Sequence, residues 1–532
     1  MILYFFIFVP IIVGTVVYLI PGKMTKILAF LLQGLMLALA IYNFINVVSN
    51  GDIVQVIGSN LSITGITLVC DKISAALLIL TTFIFFICFL FGLLDKFVNN
   101  LFIFLFIILQ ALIIGIFLTR DLFNIYVLVE VSTIIVSVLI MFKKDSVSLY
   151  DGMVYFISNI AAMTLFLFGV AILYKTFGVL DIDVIKVKMQ FVEDTRSLIL
   201  PFGLMMTGIG LKCAFLPLFS WLPKAHATAS APSIVSVILS ALYVKGGIYL
   251  FIRIADMYKP AINIDWVFLT IGIMTSLFGI VLAFSQKDIK LILAYHTVSQ
   301  LGLILTGLSM GTVSSYYGGL LHIFNHAMFK SVLFLCAGII IDHYKTRDVY
   351  EIRNVFKNMP LVSIAMIMAI LGITGAPFFN GSVSKYLIQG GAKNISLNAI
   401  IIIINLGTVI SFIKVATIFK GKEKTMNVSV KWYKKTAVLI IGSMCLLMGL
   451  GGPVLVRTLF DYQLQMSFLV YIEKLMVYVF SLAGGYLLYS RLIRKLKFVK
   501  QGLSIDLGVN EISIAMLAFF VFLSFTTYLS LI

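Results

Sequence analysis

Lys212 and Lys245 each lie near the middle of a long apolar stretch, and Glu130 lies within a third. An ammonium at bilayer depth costs at least ~2.5–3.5 kcal/mol, so it persists only against protein, a partner or water. Desolvation disfavours the charged form of either group, whereas a carboxylate nearby favours the ammonium. A lysine whose distance to a carboxylate can change is therefore a device for loading and unloading protons. Glu130 has no cation close to it in sequence, so its partner must come from another helix, with Lys212 the first choice.

Further polar groups extend the set. His322, His326 and Lys330 follow one another at i, i+4 and i+8, which places all three on one helical face. His296 and Lys385 lie in two more apolar runs. Linked by water, such residues could form a wire along which protons hop. The competing readings are histidines satisfied by backbone or hydroxyl groups, and lysines snorkelling to the interface, most of all Lys330 and Lys385. The histidine spacing could suit a metal, but no carboxylate or cysteine accompanies it. Cys70, Cys88, Cys213, Cys336 and Cys445 are scattered singly, without zinc or iron–sulfur spacing. No cofactor, metal or redox centre is expected in this chain.

The elements that must position these groups are apolar helices. The 532 residues are 61% hydrophobic and 11% charged, against ~25% charged in ordinary domains. Stretches long enough to cross a bilayer recur from end to end, and the alternation of a β-barrel is absent. The expected fold is all-α and polytopic, with about sixteen spans. Those carrying the candidate residues run near 122–142, 198–219, 232–254, 290–309, 314–341 and 360–389. The first apolar stretch lacks a basic leader and a small-residue cleavage site, and reads as a retained helix. A net charge of +17 would raise nucleic acid as a partner of a soluble protein; here the basic residues sit between spans. Loops after odd-numbered spans hold more than twice as many Lys and Arg as the others. That bias puts them in the cytoplasm and both termini on the outer face of a cell membrane. Arg491 to Lys500 alternates basic with apolar residues and suits the lipid surface.

Two spans look broken. Pro217 follows Lys212 by five residues, and proline deletes a backbone donor. Gly210 to Phe219 (GLKCAFLPLF) is echoed by Gly372 to Phe379 (GITGAPFF), each with a lysine nearby. Paired proline-interrupted spans suggest an inverted-repeat transporter.

At this point the motifs identify a relationship. WLPKAH followed by APS (Trp221 to Ser233), VKGGIY with Arg253, AYHTVSQLG (Ala294 to Gly302), HIFNHAMFK (His322 to Lys330) and GAPFFNGSVSK (Gly375 to Lys385) occur in one order. In this the chain resembles the antiporter-like membrane subunits shared by respiratory complex I, Mrp-type sodium/proton antiporters and membrane-bound hydrogenases. The resemblance covers roughly 70–420. It implies two inverted five-helix repeats, 101–254 and 266–419, each with a broken helix, between N-terminal helices (1–100) and C-terminal helices (435–532). It also implies that Glu130 and Lys212 are a coupled pair, that Lys245 continues the axis, that His322, His326 and Lys330 follow, and that Lys385 ends it. Phe219 stands where many relatives have histidine, and the sixth span lacks the lysine that many carry. Lysine at 385, where one complex I subunit type has glutamate, favours the Mrp-like or hydrogenase-like branch.

The leading expectation is a proton-translocating subunit, H+ alone or exchanged with Na+, working with other membrane subunits in the lipid bilayer. A stand-alone secondary transporter for a small solute is the alternative. A structural scaffold would not need several buried cations. Whether the coupling module is an antiporter or a redox complex lies in other chains.

Overall fold

The computed structural model describes residues 2–20, 22, 24–58, 65–227, 231–421, 429–464, 468–491, 493–496, 503 and 505–532. The first half of the chain runs α1 (Ile2–Leu19), α2 (Met24–Asn50), β1 (Ile53–Ile57), β2 (Ile66–Cys70), α3 (Lys72–Gly92), α4 (Asn100–Leu118), α5 (Leu122–Ile140), α6 (Ser146–Phe177), α7 (Ile182–Met189), α8 (Ile199–Lys212), α9 (Trp221–Ala227), α10 (Ser233–Ile238) and α11 (Val244–Tyr258). The second half runs α12 (Asp265–Ser285), α13 (Ile289–Ser309), α14 (Val313–Tyr344), α15 (Val355–Asn358), α16 (Pro360–Thr374), α17 (Asn380–Gly390), α18 (Ile395–Ala416), α19 (Trp432–Leu450), α20 (Gly452–Phe460), α21 (Phe468–Arg491) and α22 (Val509–Ser530).

Among the described residues, fourteen helices are long and apolar enough to cross a membrane. The two expected spans missing from that set are the interrupted ones, α8 with α9 and α16 with α17. The protein is thus a polytopic helical membrane protein. Half of the segment Arg491 to Lys500 lies outside the described residues; a short 3-10 turn occupies Ile493–Lys495. The antiparallel hairpin β1–β2, with Ile53 opposite Cys70, was not foreseen.

Several of the chain's 22 acidic residues are helix caps. Asp71, Asp121, Asp145, Asp181 and Asp288 each accept a backbone N–H in the first turn of the following helix. They fix where α3, α5, α6, α7 and α13 begin, and leave Glu130 as a rare acid inside a span.

The chain forms two compact units. The first comprises Met1–Ala231, Leu242–Ile264 and Leu507–Ile532; the second comprises Pro232–Ala241 and Asp265–Asp506. Each contains the same local device. In the first, Asp121 and Asp181 pair in a short antiparallel bridge that opens α5 and α7; in the second, Asp288 and Asp348 do so, opening α13. The triplet Thr-Arg-Asp occurs at both, as 119–121 and 346–348.

Close helix packing sets the side-chain positions. In the second unit α12 lies tight on α13: a Cβ at Gly302 would sit 2.5 Å from the Ser276 nitrogen, and one at Gly279 would sit 2.6 Å from the Ser299 nitrogen. Small residues along such a seam let backbones approach where lipid offers no hydrophobic drive. The same seam orients the adjoining flank of α13, which carries His296 and Gln300. All of the membrane-spanning part of α14 is buried.

Candidate functional site

Polar groups gather within each unit around an interrupted helix. In the first unit α8 ends at Lys212 and the chain resumes as α9 at Trp221. Pro217 lies inside the gap, but the interruption begins before it, at Ala214, whose φ is +52°. A helix end leaves its last carbonyls without partners. The indole Nε1 of Trp221 donates to the Leu211 carbonyl at 2.7 Å and satisfies one of them. This gives the first residue of the WLPKAH motif a structural task. Gly247 of VKGGIY has another: a Cβ there would lie 3.0 Å from the Lys212 carbonyl carbon and 3.1 Å from both the Cys213 nitrogen and its Sγ. Only glycine lets α11 approach the break this closely.

Lys212 is buried, and its Nζ donates to Thr133 Oγ1 at 2.6 Å and to the Tyr243 hydroxyl at 3.0 Å. Those two hydroxyls are 3.0 Å apart. Tyr243 ends a π-helical stretch, Leu239–Tyr243, between α10 and α11. Tyr243 stands next to Tyr155, with ring centroids 6.4 Å apart, and Tyr155 packs on Trp221. Glu130 is on α5 one turn before Thr133, half-buried, with Oε2 buried and lacking a hydrogen-bond partner. The direct Glu130–Lys212 ion pair expected from sequence is not made among the described residues; a hydroxyl on the same helix face takes the ammonium instead. Lys245, two residues beyond Tyr243, is fully buried.

The far end of α11 is bolted in place. Arg253 and Arg120 both reach Asp71 Oδ2, the latter at 2.9 Å. Arg120 also donates to the Tyr249 hydroxyl at 2.8 Å, which donates to the Phe117 carbonyl at 2.8 Å. Burial pushes the Asp71 carboxyl up, but Arg253 and Arg120, with a backbone N–H, outweigh it and hold it below its ordinary value.

In the second unit α16 ends at Thr374, closed by Gly375 at φ +81°, and α17 begins at Asn380. Lys385 reaches back across the gap, and its Nζ donates to the Ile373 carbonyl at 2.7 Å. His322 on α14 bridges two helices: Nδ1 is 2.8 Å from Ser384 Oγ on α17, and Nε2 is 3.0 Å from Gln300 Oε1 on α13. The amide oxygen can only accept, so Nε2 carries a proton, while Nδ1 meets the Ser384 hydroxyl, which can accept or donate. Asn325 ties α14 to the break through the Asn380 carbonyl at 2.8 Å and Ser384 Oγ at 3.0 Å. Lys330 donates to the Leu293 carbonyl on α13 at 2.7 Å. His326 is buried edge-on against Phe329, and His296 lies 4.9 Å from the Phe412 ring, both ring nitrogens lacking a hydrogen-bond partner.

The structure thus places Lys212 near Glu130 in one unit, and His322 and Lys385 at the break in the other, where Lys330 is instead bonded to α13. Thr133, Tyr243, Gln300 and Ser384, which supply the acceptors, were not picked out from sequence. Neither was Lys414, buried at the end of α18, whose Nζ donates to the Phe284 carbonyl at 2.9 Å and to that of Gln286. Among the described residues no group of three or more His, Cys, Asp or Glu could hold a metal.

Both breaks share one electrostatic feature. A helix C-terminus carries roughly −0.5 of an elementary charge, and half-helix ends of this kind hold cations in transporters. Residues 119–411, the stretch that includes both breaks, match the family described as NADH:quinone oxidoreductase/Mrp antiporter, transmembrane. The chain belongs to this family. It is an antiporter-like membrane subunit of the same type, 30% identical to a putative antiporter subunit (mnhD2) of Staphylococcus aureus over 66% of this chain and 71% of that one. Its fold is similar to that of a chain in the Mrp complex from Dietzia sp. DQ12-45-1b, with TM-score 0.79, 22% identity and coverage of 94% and 99% of the two chains. It is also similar to a chain of the membrane-bound sulfane sulfur reductase, an archaeal respiratory membrane complex, with TM-score 0.81, 22% identity and coverage of 90% and 99%.

Proposed function

We propose that this subunit moves protons through the bilayer by charging and discharging its buried lysines, as the ion-translocating part of a multi-subunit membrane complex. Lys212 is the observation that carries the reading: an ammonium sealed at the end of a half-helix and held by two hydroxyls, one of which, on Thr133, lies one helical turn from Glu130. In the first unit Glu130 and Lys212 exchange influence through Thr133, and Lys245 takes the proton onward. In the second, His322, His326, Lys330 and Lys385 serve the same purpose, with His296 as a weaker participant. The relatives' printed roles, an antiporter subunit and parts of an Mrp complex and a respiratory complex, support partner subunits that supply the coupling, by cation exchange or by redox chemistry. The excess of basic residues in loops after odd-numbered spans supports a plasma-membrane placement with both termini outside.

The test is Lys212→Ala in the complete complex, followed as ion- or substrate-driven acidification of inverted vesicles. Loss of proton movement with normal assembly is expected. Proton flux equal to wild type would refute the reading.

A further inference from the structure

α21 lies outside the repeats, and most of its side chains face away from the protein: Ile472, Leu475, Met476 and Val477 are all exposed. One stripe is different. Tyr471, Lys474 and Tyr478 recur at i, i+3 and i+7 on a single face, and all three touch the broken helix that carries Lys385. The Tyr471 ring stacks on Phe378 in the break, with centroids 5.1 Å apart and planes 4° from parallel. The Lys474 ammonium sits 3.8 Å from the centroid of the Tyr386 ring. The Tyr478 hydroxyl is 2.8 Å from Thr374 Oγ1. Thr374 is the residue after Ile373, and Tyr386 is the residue after Lys385. The polar stripe of α21 is therefore applied to the immediate neighbours of both ends of the Lys385–Ile373 hydrogen bond.

Lys474 is about 9 Å along the helix from Phe468. A snorkelling lysine at that depth would turn its head to the nearer interface, whereas this one is half-buried and lies over the Tyr386 ring. A cation is expensive at such a place, and by default marks an ion path.

We infer that Lys474 is the next proton acceptor after Lys385, and the residue that returns the proton to water at the end of the path. The inference rests on Lys385 acting as a proton carrier, as proposed above. In the step, the Lys385 ammonium gives up one proton and becomes an amine, and the Lys474 amine takes it and becomes an ammonium. The Thr374–Tyr478 hydroxyl pair and intervening water carry the proton, and Lys474 then releases it to bulk water, regaining its neutral form. Charge and atoms balance without any other reactant. Among the described residues, titratable groups against Lys474 include Tyr386 from α17 and Tyr471 from its own helix, with Tyr478 one turn further along; the adjoining Glu473 is exposed.

The alternative is that Lys474 is only a cation–π clamp holding α21 against the break. Arginine separates the two, because it stacks on aromatic rings at least as well as lysine but does not release its proton. Lys474→Arg, Lys474→Met, Lys474→His and Lys385→Ala are compared in the whole complex in inverted vesicles, with flux normalised to assembled complex and recorded against pH. Lys474→Met and Lys474→Arg are expected to lose proton flux at least about tenfold. Lys474→His is expected to recover part of it, with a profile displaced towards acid. Should Lys474→Met not assemble, the arginine and histidine variants decide the matter. Wild-type flux in Lys474→Arg, or an unshifted profile in Lys474→His, would overturn the inference. If Lys385→Ala is inactive while Lys474→Met is fully active, only the Lys474 step fails; if Lys385→Ala is itself active, the reading beneath it fails.

Discussion

Gly246 and Gly247 are adjacent in α11, and they should respond in opposite ways to the same substitution. Nothing lies within 4 Å of a Cβ built on Gly246. Gly246→Ala therefore only removes backbone freedom from a helix, a gain of roughly 0.5–1 kcal/mol. At Gly247 the same methyl meets the Lys212 carbonyl carbon at 3.0 Å and Cys213 at 3.1 Å. Carbon atoms prefer about 3.5–4.0 Å, so α11 must retreat from the break by roughly 0.5 Å for alanine and further for valine. The obstruction is backbone, which has no rotamer to change. Overpacking of this kind costs about 1–3 kcal/mol, enough to cancel the helix gain in Gly247→Ala and exceed it in Gly247→Val.

The functional cost should be larger than the stability cost. The ammonium of Lys212 is 3.0 Å from the Tyr243 hydroxyl, one turn before Gly247 on the same helical element. A retreat of half an ångström or more weakens that bond steeply, and a 1 Å misplacement can cost about 100-fold in a positioned reaction. The measurement is proton flux in inverted vesicles per assembled complex, with thermal stability of the purified complex alongside. Expected are wild-type flux for Gly246→Ala, a several-fold loss for Gly247→Ala, and roughly a hundredfold loss for Gly247→Val. If Gly247→Val matched Gly246→Ala in both flux and stability, the close approach of α11 to the break would have no part in holding Lys212.

Two other outcomes follow from particular contacts. Thr133→Asp places a carboxylate where Lys212 now has a hydroxyl; it should keep or raise stability while lowering proton flux by about tenfold or more, because a buried ion pair costs about 3–5 kcal/mol to break, and flux equal to wild type would count against proton release from Lys212. Asp71→Asn removes the carboxylate shared by Arg120 and Arg253 and should lower the thermal midpoint by roughly 5 °C at neutral pH. Since Asp71 is held below its ordinary value of 3.8, its contribution is fully present above that value and disappears as pH falls through the depressed one. The difference between wild type and Asp71→Asn should therefore be constant from neutrality to mild acid and close only under strongly acidic conditions.

Charge inside an apolar run is legible from sequence, because hydrocarbon makes every such residue conspicuous. Lys212, Lys245, Lys330 and Lys385, together with His296, His322 and His326, were all visible in that way, and all are buried in the structure. Their acceptors were not, because hydroxyls, amides and carbonyls carry no conspicuous cost and come from remote helices. Thr133 is 79 residues from Lys212, and Gln300 reaches His322 from a different helix. Lys414 and Lys474 stand near the ends of their spans, where sequence cannot distinguish a lysine turned inward from one reaching for the interface. The first break was placed correctly near Lys212, but proline was the wrong marker for its start. The chain leaves the helix at Ala214 with a positive φ, and alanine gives no sign of that conformation. The hairpin β1–β2 was missed because two five-residue apolar strands are inconspicuous among spans four times as long.

The neutral character of these acceptors has a physical consequence. Lys212 is held by hydroxyls, and Lys330, Lys385 and Lys414 by carbonyls. The Leu293 carbonyl that holds Lys330 also accepts from Thr297 Oγ1 at 3.1 Å, so part of its acceptor capacity is already engaged. A charged donor gains about 1.5–3 kcal/mol from a neutral partner, which is less than breaking a buried ion pair costs. An ammonium without a contact carboxylate can therefore lose its proton without stranding an opposite charge beside it. Glu130, one turn from the hydroxyl that binds Lys212 and making no ion pair with it, is near enough to bias that equilibrium and too far to fix it. A small movement of α5 or of the break would then be sufficient to change which state Lys212 prefers, and a direct salt bridge would have taken that sensitivity away.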